Sequence, residues 1–263
     1  MPELPEVETF VRGLRAVIGR TIERADVIDP KLELAPSALA GRRIASIDRR
    51  GKHIVFSFDG GDRLTIHLRM SGRLRLDRSE AEVPYTRLIL HLDSKEQVYF
   101  VDPRRLGTAC LGGFATETLG VEPLSGAFTP ACLATLVAAS RAPIKPLLLD
   151  QRRIAGLGNI YAAESLWRAG VDPHRPSNGL TDVQVAALHE SIVAVLTEAL
   201  DGRGTTLGAS VSDYRPGPGT AGEFQNRLYV YGREGEDCSR CGWTIERSIQ
   251  QGRSTYYCPN CQR

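Results

Sequence analysis

The chain has 263 residues, 42% hydrophobic and 24% charged, which excludes a disordered or fibrous protein and suits two domains or one with appendages. Its net charge of +2 does not by itself announce a nucleic-acid binder. With no basic-then-apolar leader and no apolar run of membrane length in the sequence, the expectation is a cytoplasmic protein with no membrane partner. Lysine occurs only at positions 31, 52, 95 and 145, and the remaining basic residues are arginine, the side chain preferred for bidentate phosphate contacts.

The first nine residues are MPELPEVET. A small second residue such as Pro2 normally lets the initiator Met be trimmed, which exposes a secondary amine beside the carboxyl of Glu3. An α-amino group titrates about 2 to 3 units below a lysine, so near neutrality far more of it is nucleophilic. Condensed with a sugar aldehyde carbon, such an amine gives an iminium, a strong electron sink. Pro5, Glu6 and Glu8 suit the first turn of a helix, and Val7, Phe10, Val11, Leu14, Val17 and Ile18 give it one face to bury.

From Thr21 to about Val101 the pattern becomes short alternating runs: Ile54, Phe56 and Phe58; Leu64, Ile66 and Leu68; Leu88, Leu90 and Leu92. Period-2 runs separated by Gly and Asp turns predict antiparallel strands packed as a sandwich. Three stretches here carry polar chemistry. Arg49-Arg50-Gly51-Lys52-His53 enters a strand and reads either as a solvated turn or as a functional one. His67-Leu68-Arg69-Met70-Ser71-Gly72 ends a strand on a Met, a residue type common in cores. Asp102-Pro103-Arg104-Arg105-Leu106-Gly107 sets two arginines on a Pro-initiated turn.

Residues 123–130, with Pro123, Gly126 and Pro130, form the expected connection between domains. Helical patterning follows at 131–139, 144–150 and 159–168. A fourth helix is expected to be lined by Val183, Ala186, Ala187, Ile192, Val195, Leu196 and Ala199 and capped by Thr181. Gly156-Leu157-Gly158 just before Asn159 is either an ordinary turn or a place where backbone N–H groups meet an anion at a helix N-terminus. Arg141 and Lys145 are further phosphate candidates, with a solvated role also open for Arg141. Residues 202–224, rich in Gly, Pro, Ser and Thr, read as a long loop.

Cys238-x2-Cys241 and Cys258-x2-Cys261, separated by residues 242–257, have the spacing of a four-thiolate zinc site. Four protein ligands leave no open position, so one structural Zn2+ is expected. Cys110 and Cys132 fit no metal spacing and are expected to be buried. Gly252-Arg253-Ser254 falls where a zinc-braced hairpin would turn and present Arg253.

In MPELPEVET, the Lys52 turn, DPRR, GLGNIYA, the VYGR stretch and the cysteine tail, the chain resembles the bacterial formamidopyrimidine-DNA glycosylases, base-excision repair enzymes related to endonuclease VIII. The resemblance implies an α+β fold. It comprises a β-sandwich with an N-terminal helix (1–122), a linker (123–130), a helical domain with a helix–two-turns–helix motif and a base-capping loop (131–226), and a zinc hairpin (227–263). It implies Pro2 as nucleophile, Glu3 as acid, Lys52 as proton donor for β-elimination and Arg253 as phosphate grip and donor for δ-elimination. Contacts to DNA fall on His67, Met70, Tyr85, Arg104, Leu106, Arg141, Lys145 and Asn159, with Met70 and Arg104 filling the gap left by an extruded nucleotide. Leu106 stands where the family pattern has Phe, and Tyr85 where it often has His. The partner implied is double-stranded DNA carrying a damaged base or abasic site in a cleft between domains, bound by a monomer. Oxidised purines are the expected substrates. Two rivals stand beside this: an endonuclease VIII-like preference for oxidised pyrimidines, and a non-catalytic DNA-binding zinc protein on the same scaffold.

Overall fold

The computed structural model describes residues 1–78, 83–112, 118–206 and 222–263. The chain divides into two compact units, Met1–Glu117 with Gly202–Gln225, and Thr118–Asp201 with Asn226–Arg263.

The first unit opens on α1 (Leu4–Leu14), with Glu3 at the N-cap and Pro5 in the first turn. The Glu6 carboxylate reaches back to accept the Glu3 N–H at 2.7 Å, satisfying one of the donors that a helix start leaves free. The α-helix stops at Leu14 and a 3-10 turn, Arg15–Val17, follows. The tighter turn breaks the 3.6-residue period, so Val17 is buried but Ile18, expected on the same face, is exposed.

Among the described residues eight strands follow: β1 (Ile22–Val27), β2 (Ile44–Arg50), β3 (His53–Phe58), β4 (Arg63–His67), β5 (Arg73–Asp77), β6 (Thr86–Leu92), β7 (Gln97–Val101) and β8 (Thr108–Leu111). They form two antiparallel sheets, ordered β1-β6-β7-β5 and β2-β3-β4-β8. The alternating residues read from the sequence lie in one core. Ile54, Phe56, Phe58, Leu64, Ile66, Leu68, Leu88, Leu90 and Leu92 all join it, together with Val7, Phe10, Val11 and Leu14 of α1. Cys110, expected to be buried, is exposed, because β8 turns its alternate residue Ala109 inward instead.

The second unit contains α2 (Pro130–Ala138), α3 (Ile144–Leu149), α4 (Asn159–Ala169), α5 (Asp182–Asp201) and a two-stranded hairpin of β9 (Glu246–Gln250) and β10 (Arg253–Tyr257). The stretch expected as a linker is bound into this unit. Val121 bridges Ile154, and the buried Phe128 stacks on His189 with ring centroids 4.9 Å apart. The helical span is also interrupted, since 202–225 belongs with the first unit. Residues 207–221, the main part of the expected loop, lie outside the described residues.

Thr181 and Gln184 cap α5 reciprocally: the Thr181 hydroxyl takes the Gln184 N–H at 3.3 Å, and the Gln184 side chain takes the Thr181 N–H at 3.1 Å. The buried face differs from the expected one. Val183 and Ala186 are exposed, and the face runs through Val185, Leu188, Ile192, Val195, Leu196 and Ala199. Contrary to the reading that no run reaches membrane length, α5 is long and apolar enough to cross one by length and composition. Here that apolar character serves packing against α4 and α2. Cys132, on α2, is half-buried rather than buried.

Candidate active site and nucleic-acid interface

Pro2 and Glu3 are buried at the start of α1, and Met1 is exposed beyond them. Loss of Met1 would therefore uncover the Pro2 nitrogen without rebuilding the helix cap, which uses the Glu3 amide.

Lys52 follows Gly51 (φ 57°) in the tight turn between β2 and β3, where Arg50 pairs with His53. It is buried. Its neighbour His53 pairs across the sheet with His67, and the two rings meet edge to face at 4.5 Å. The Arg69 N–H donates to His67 Nδ1 at 3.0 Å, which assigns the ring proton to Nε2, a donor suited to a phosphate oxygen. Burial, then the charges of His53, Arg69 and Lys52, lower the His67 pKa to about 3. His67 is thus a neutral donor across the physiological range.

Met70, Tyr85, Arg104 and Leu106 lie on three turns gathered by one buried residue, Asp102, through its carboxylate and its backbone N–H. Asp102, fully buried, accepts the Ser71 hydroxyl and the Arg104 N–H on Oδ1 and the Gly107 N–H at 2.7 Å on Oδ2. Its own N–H donates to the Tyr85 carbonyl at 3.0 Å. Arg87 balances the charge: its guanidinium contacts Asp102, Asp29 and the Gly107 carbonyl. Each turn holds a non-glycine residue in the left-handed region: Arg69, Tyr85 and Arg105 at φ 54°, 64° and 53°. Such strain persists where surrounding bonds over-determine it, often at functional sites. Gly107 is required sterically, since a Cβ there would lie 2.6 Å from Phe100.

On this base Met70 and Leu106 are each 45% exposed and Tyr85 is 58% exposed. Met70 and Leu106 are therefore projecting side chains and not core residues. Arg104 is exposed as well. The neighbouring Arg105 turns back onto Asp29 and holds that carboxyl well below its usual range.

In the second unit, Arg253 is exposed at the start of β10, after a two-residue turn in which Gln251 and Gly252 both have positive φ (47° and 73°). That is the type I′ geometry favoured in hairpins. Lys145, expected as a phosphate contact, is turned away from solvent. It is fully buried, and its Nζ donates to the Ser254 carbonyl and the Thr255 hydroxyl, both at 2.8 Å. Asn159, the first residue of α4, donates to the same Ser254 carbonyl at 3.0 Å. Both residues thus brace the strand directly after Arg253. A recess of about 350 Å3 is lined by Ser140, Lys145, Arg152, Arg153, Gln250 and Arg253. Arg141 is exposed just before α3.

The four cysteine sulfurs lie within 4.8 Å of one another, with Cys238 to Cys261 at 3.9 Å and Cys241 to Cys258 at 3.5 Å. Zn–S bonds of about 2.3 Å in a tetrahedron require sulfurs roughly 3.8 Å apart, so the four residues fit one structural zinc. Trp167 of α4 ties this knuckle to the helices. Its indole N–H points at Cys238 Sγ at 3.5 Å, while Tyr229 stacks on its ring at 4.4 Å and Arg240 lies 4.1 Å from its centroid. Glu164, overlooked in the sequence, is buried on the same helix and accepts the N–H groups of Tyr229, Val230 and Tyr231 at 2.8, 3.0 and 2.8 Å. Burial raises its pKa against the pull of those donors. Its only sequence signal is an acid amid the apolar residues of a helix.

A β-sandwich unit carrying projecting apolar and cationic turns, and a helical unit ending in a zinc-binding hairpin, describe a protein built to grip a polyanion. The chain belongs to the formamidopyrimidine-DNA glycosylase family. Residues 1–109 match the formamidopyrimidine-DNA glycosylase N-terminal domain, 119–210 its H2TH domain, and 235–263 the zinc finger found in FPG and IleRS. The formamidopyrimidine-DNA glycosylase of Roseiflexus sp. (strain RS-1) is 44% identical over 277 residues, covering 100% of both chains. The crystal structure of the MutM (Fpg) protein from Thermus thermophilus superposes with a TM-score of 0.89 at 43% identity, over 99% of this chain and 98% of that one. The Lactococcus lactis Fpg in complex with DNA containing an abasic site gives 0.89 at 35% identity, over 99% of each.

Proposed function

We propose that the chain removes oxidised purines, 8-oxoguanine and formamidopyrimidines, from double-stranded DNA and then cleaves the resulting abasic site, acting as a monomer. It is a DNA glycosylase of base excision repair with lyase activity. The observation that carries the reading at this chain's own residues is the Asp102 hub, which fixes a projecting Met70, Leu106 and Arg104 as a unit suited to replace an extruded nucleotide.

After Met1 removal, the Pro2 nitrogen attacks C1′ of the damaged nucleotide. The C1′–N bond to the base breaks and the base leaves with the proton given up by the Pro2 nitrogen; the C1′–O4′ bond then opens, O4′ taking a proton from the Glu3 carboxyl, which leaves an iminium between Pro2 and C1′. The iminium acidifies C2′–H, so the 3′ phosphate departs by β-elimination and the 5′ phosphate by δ-elimination, leaving a one-nucleoside gap. Lys52 and the neutral His67 face the phosphate near the lesion. Arg253, held by the zinc hairpin and by Lys145 and Asn159 behind it, supplies charge at the flanking phosphate; an arginine is a poor acid, so its role is electrostatic.

Nicking of duplexes carrying 8-oxoguanine, thymine glycol or an abasic site tests this. Preferential nicking at 8-oxoguanine supports the reading, whereas a thymine glycol preference replaces it with the pyrimidine branch. Intact mass and activity together address the non-catalytic alternative, which requires a retained Met1 or a blocked Pro2 and no nicking at all.

A further inference from the structure

We propose that Glu6 is a positioning residue that holds the Pro2–Glu3 end of the chain against the 204–206 segment, so that the amine meets C1′ at the reacting geometry. Glu6 is 2% exposed and splits its carboxylate between two backbone donors. Oε2 takes the Glu3 N–H at 2.7 Å, and Oε1 takes the Thr205 N–H at 2.8 Å, from 199 positions further along the chain. The first of these amides is one residue from the Pro2 nitrogen.

The second anchor is itself built firmly. Gly222 donates to the Thr206 hydroxyl at 2.8 Å, Thr206 to the Gln225 side chain at 3.0 Å, and Phe224 to the Gly204 carbonyl at 3.1 Å. The buried Phe224 ring fixes the pair of runs from within. Gly204 adopts φ +79°, and a Cβ on it would lie 2.7 Å from Glu6 Oε1. Glycine at this position thus keeps the space that the carboxylate occupies.

Two N–H donors approaching from different sides need an acceptor on each side, which a carboxylate offers and a carboxamide does not. A helix-capping role alone would use only the Glu3 contact. The Thr205 contact adds a tertiary reference point for the terminal amine. Misplacing a reacting group by an ångström costs on the order of 100-fold in rate even where binding is untouched.

The inference rests on Pro2 as nucleophile and is tested with full-length, zinc-loaded protein. Glu6→Gln keeps the size of the side chain and loses one of the two acceptors. Single-turnover excision of 8-oxoguanine is expected to fall about 10- to 100-fold. Cleavage of a preformed abasic site, whose aldehyde is a far more reactive electrophile, is expected to fall less. Lesion-duplex affinity and the active fraction from burst titration remain as in the parent. Gly204→Ala, which displaces the carboxylate from the other side, is expected to give the same split, and the double variant no larger loss than either one. Parent-like excision by Glu6→Gln overturns the proposal. So does a loss appearing wholly in the active fraction, or additive losses in the double variant. Absence of a borohydride-trapped adduct in the parent chain itself would instead overturn the reading of Pro2.

Discussion

Ser71 donates its hydroxyl to the buried carboxylate of Asp102, joining the turn that carries Met70 to the turn that carries Arg104 and Leu106. Two side-chain groups more than thirty positions apart thus become one rigid feature. Ser71→Ala removes the link and leaves Asp102 its amide donors, so the stability cost is expected to be about 0.5 to 2 kcal/mol. Asp102→Asn also strips Arg87 of a buried partner and is expected to cost about 3 to 5 kcal/mol. Denaturant melts of both variants, beside lesion binding, check this order; equal costs would contradict it.

Leu106 projects into solvent, so its replacements are expected to alter binding and not folding. Stacking of an aromatic on a base is worth about 1 to 3 kcal/mol. Leu106→Phe is therefore expected to tighten lesion-duplex binding by up to about tenfold, near 1.4 kcal/mol. Leu106→Ala is expected to weaken excision of a damaged base more than cleavage at an abasic site. Arg104→Ala should blur discrimination of the opposite base. Melting temperatures measured alongside should stay close to the parent's.

The histidine pair sets an acid limb. Burial lowers the pKa of His53 and takes that of His67 to about 3, so folding disfavours the protonated form of both rings, whereas unfolded imidazoles gain protons below about 6.5. The unfolded state then binds more protons, and stability falls as pH drops from about 6.5 toward 3. Asp29 adds to the lower part of this limb, because Arg105 depresses its pKa and the stability it gives fades as pH falls below the unfolded value near 4. His67→Gln is expected to flatten the limb between pH 6.5 and 4. Urea midpoints collected across pH 3 to 8 provide the check.

Zinc removal should act on one unit. Four thiolates can supply on the order of 10 kcal/mol of apparent binding energy, enough to decide whether the small hairpin forms. Cys258→Ser is expected to release the metal, loosen Arg253 and abolish DNA binding, with the β-sandwich still folded. Trp167, whose N–H points at Cys238, makes indole fluorescence a direct reporter of that loss. Active protein without zinc on metal analysis would contradict the expectation.

Much of this architecture was legible because it depends on local pattern. Alternation in 54–58, 64–68 and 88–92 placed strands on the correct face, and cysteine spacing found the metal site. Tertiary positions were not legible in the same way. Lys145 carries the sequence mark of a surface cation, yet its ammonium turns inward onto β10, a partner more than a hundred positions distant. Asp102 was seen only as the start of an arginine turn, since its acceptors are satisfied by Ser71 and Gly107 through folding. Val183 fitted the period of α5, but at 79% exposed it lies in the first turn, ahead of the packed face. Local apolar period gives a helix its face only to within a residue or two.

The central claim is that the chain reacts through the nitrogen of Pro2. Borohydride trapping on an 8-oxoguanine duplex, followed by peptide mapping of the crosslink, measures this directly. The account predicts an adduct on residue 2 of a chain that has lost Met1, with Glu3→Gln reducing trapping on the damaged base more than on a preformed abasic site. An adduct on Lys52, or undiminished excision by protein that retains Met1, would contradict it.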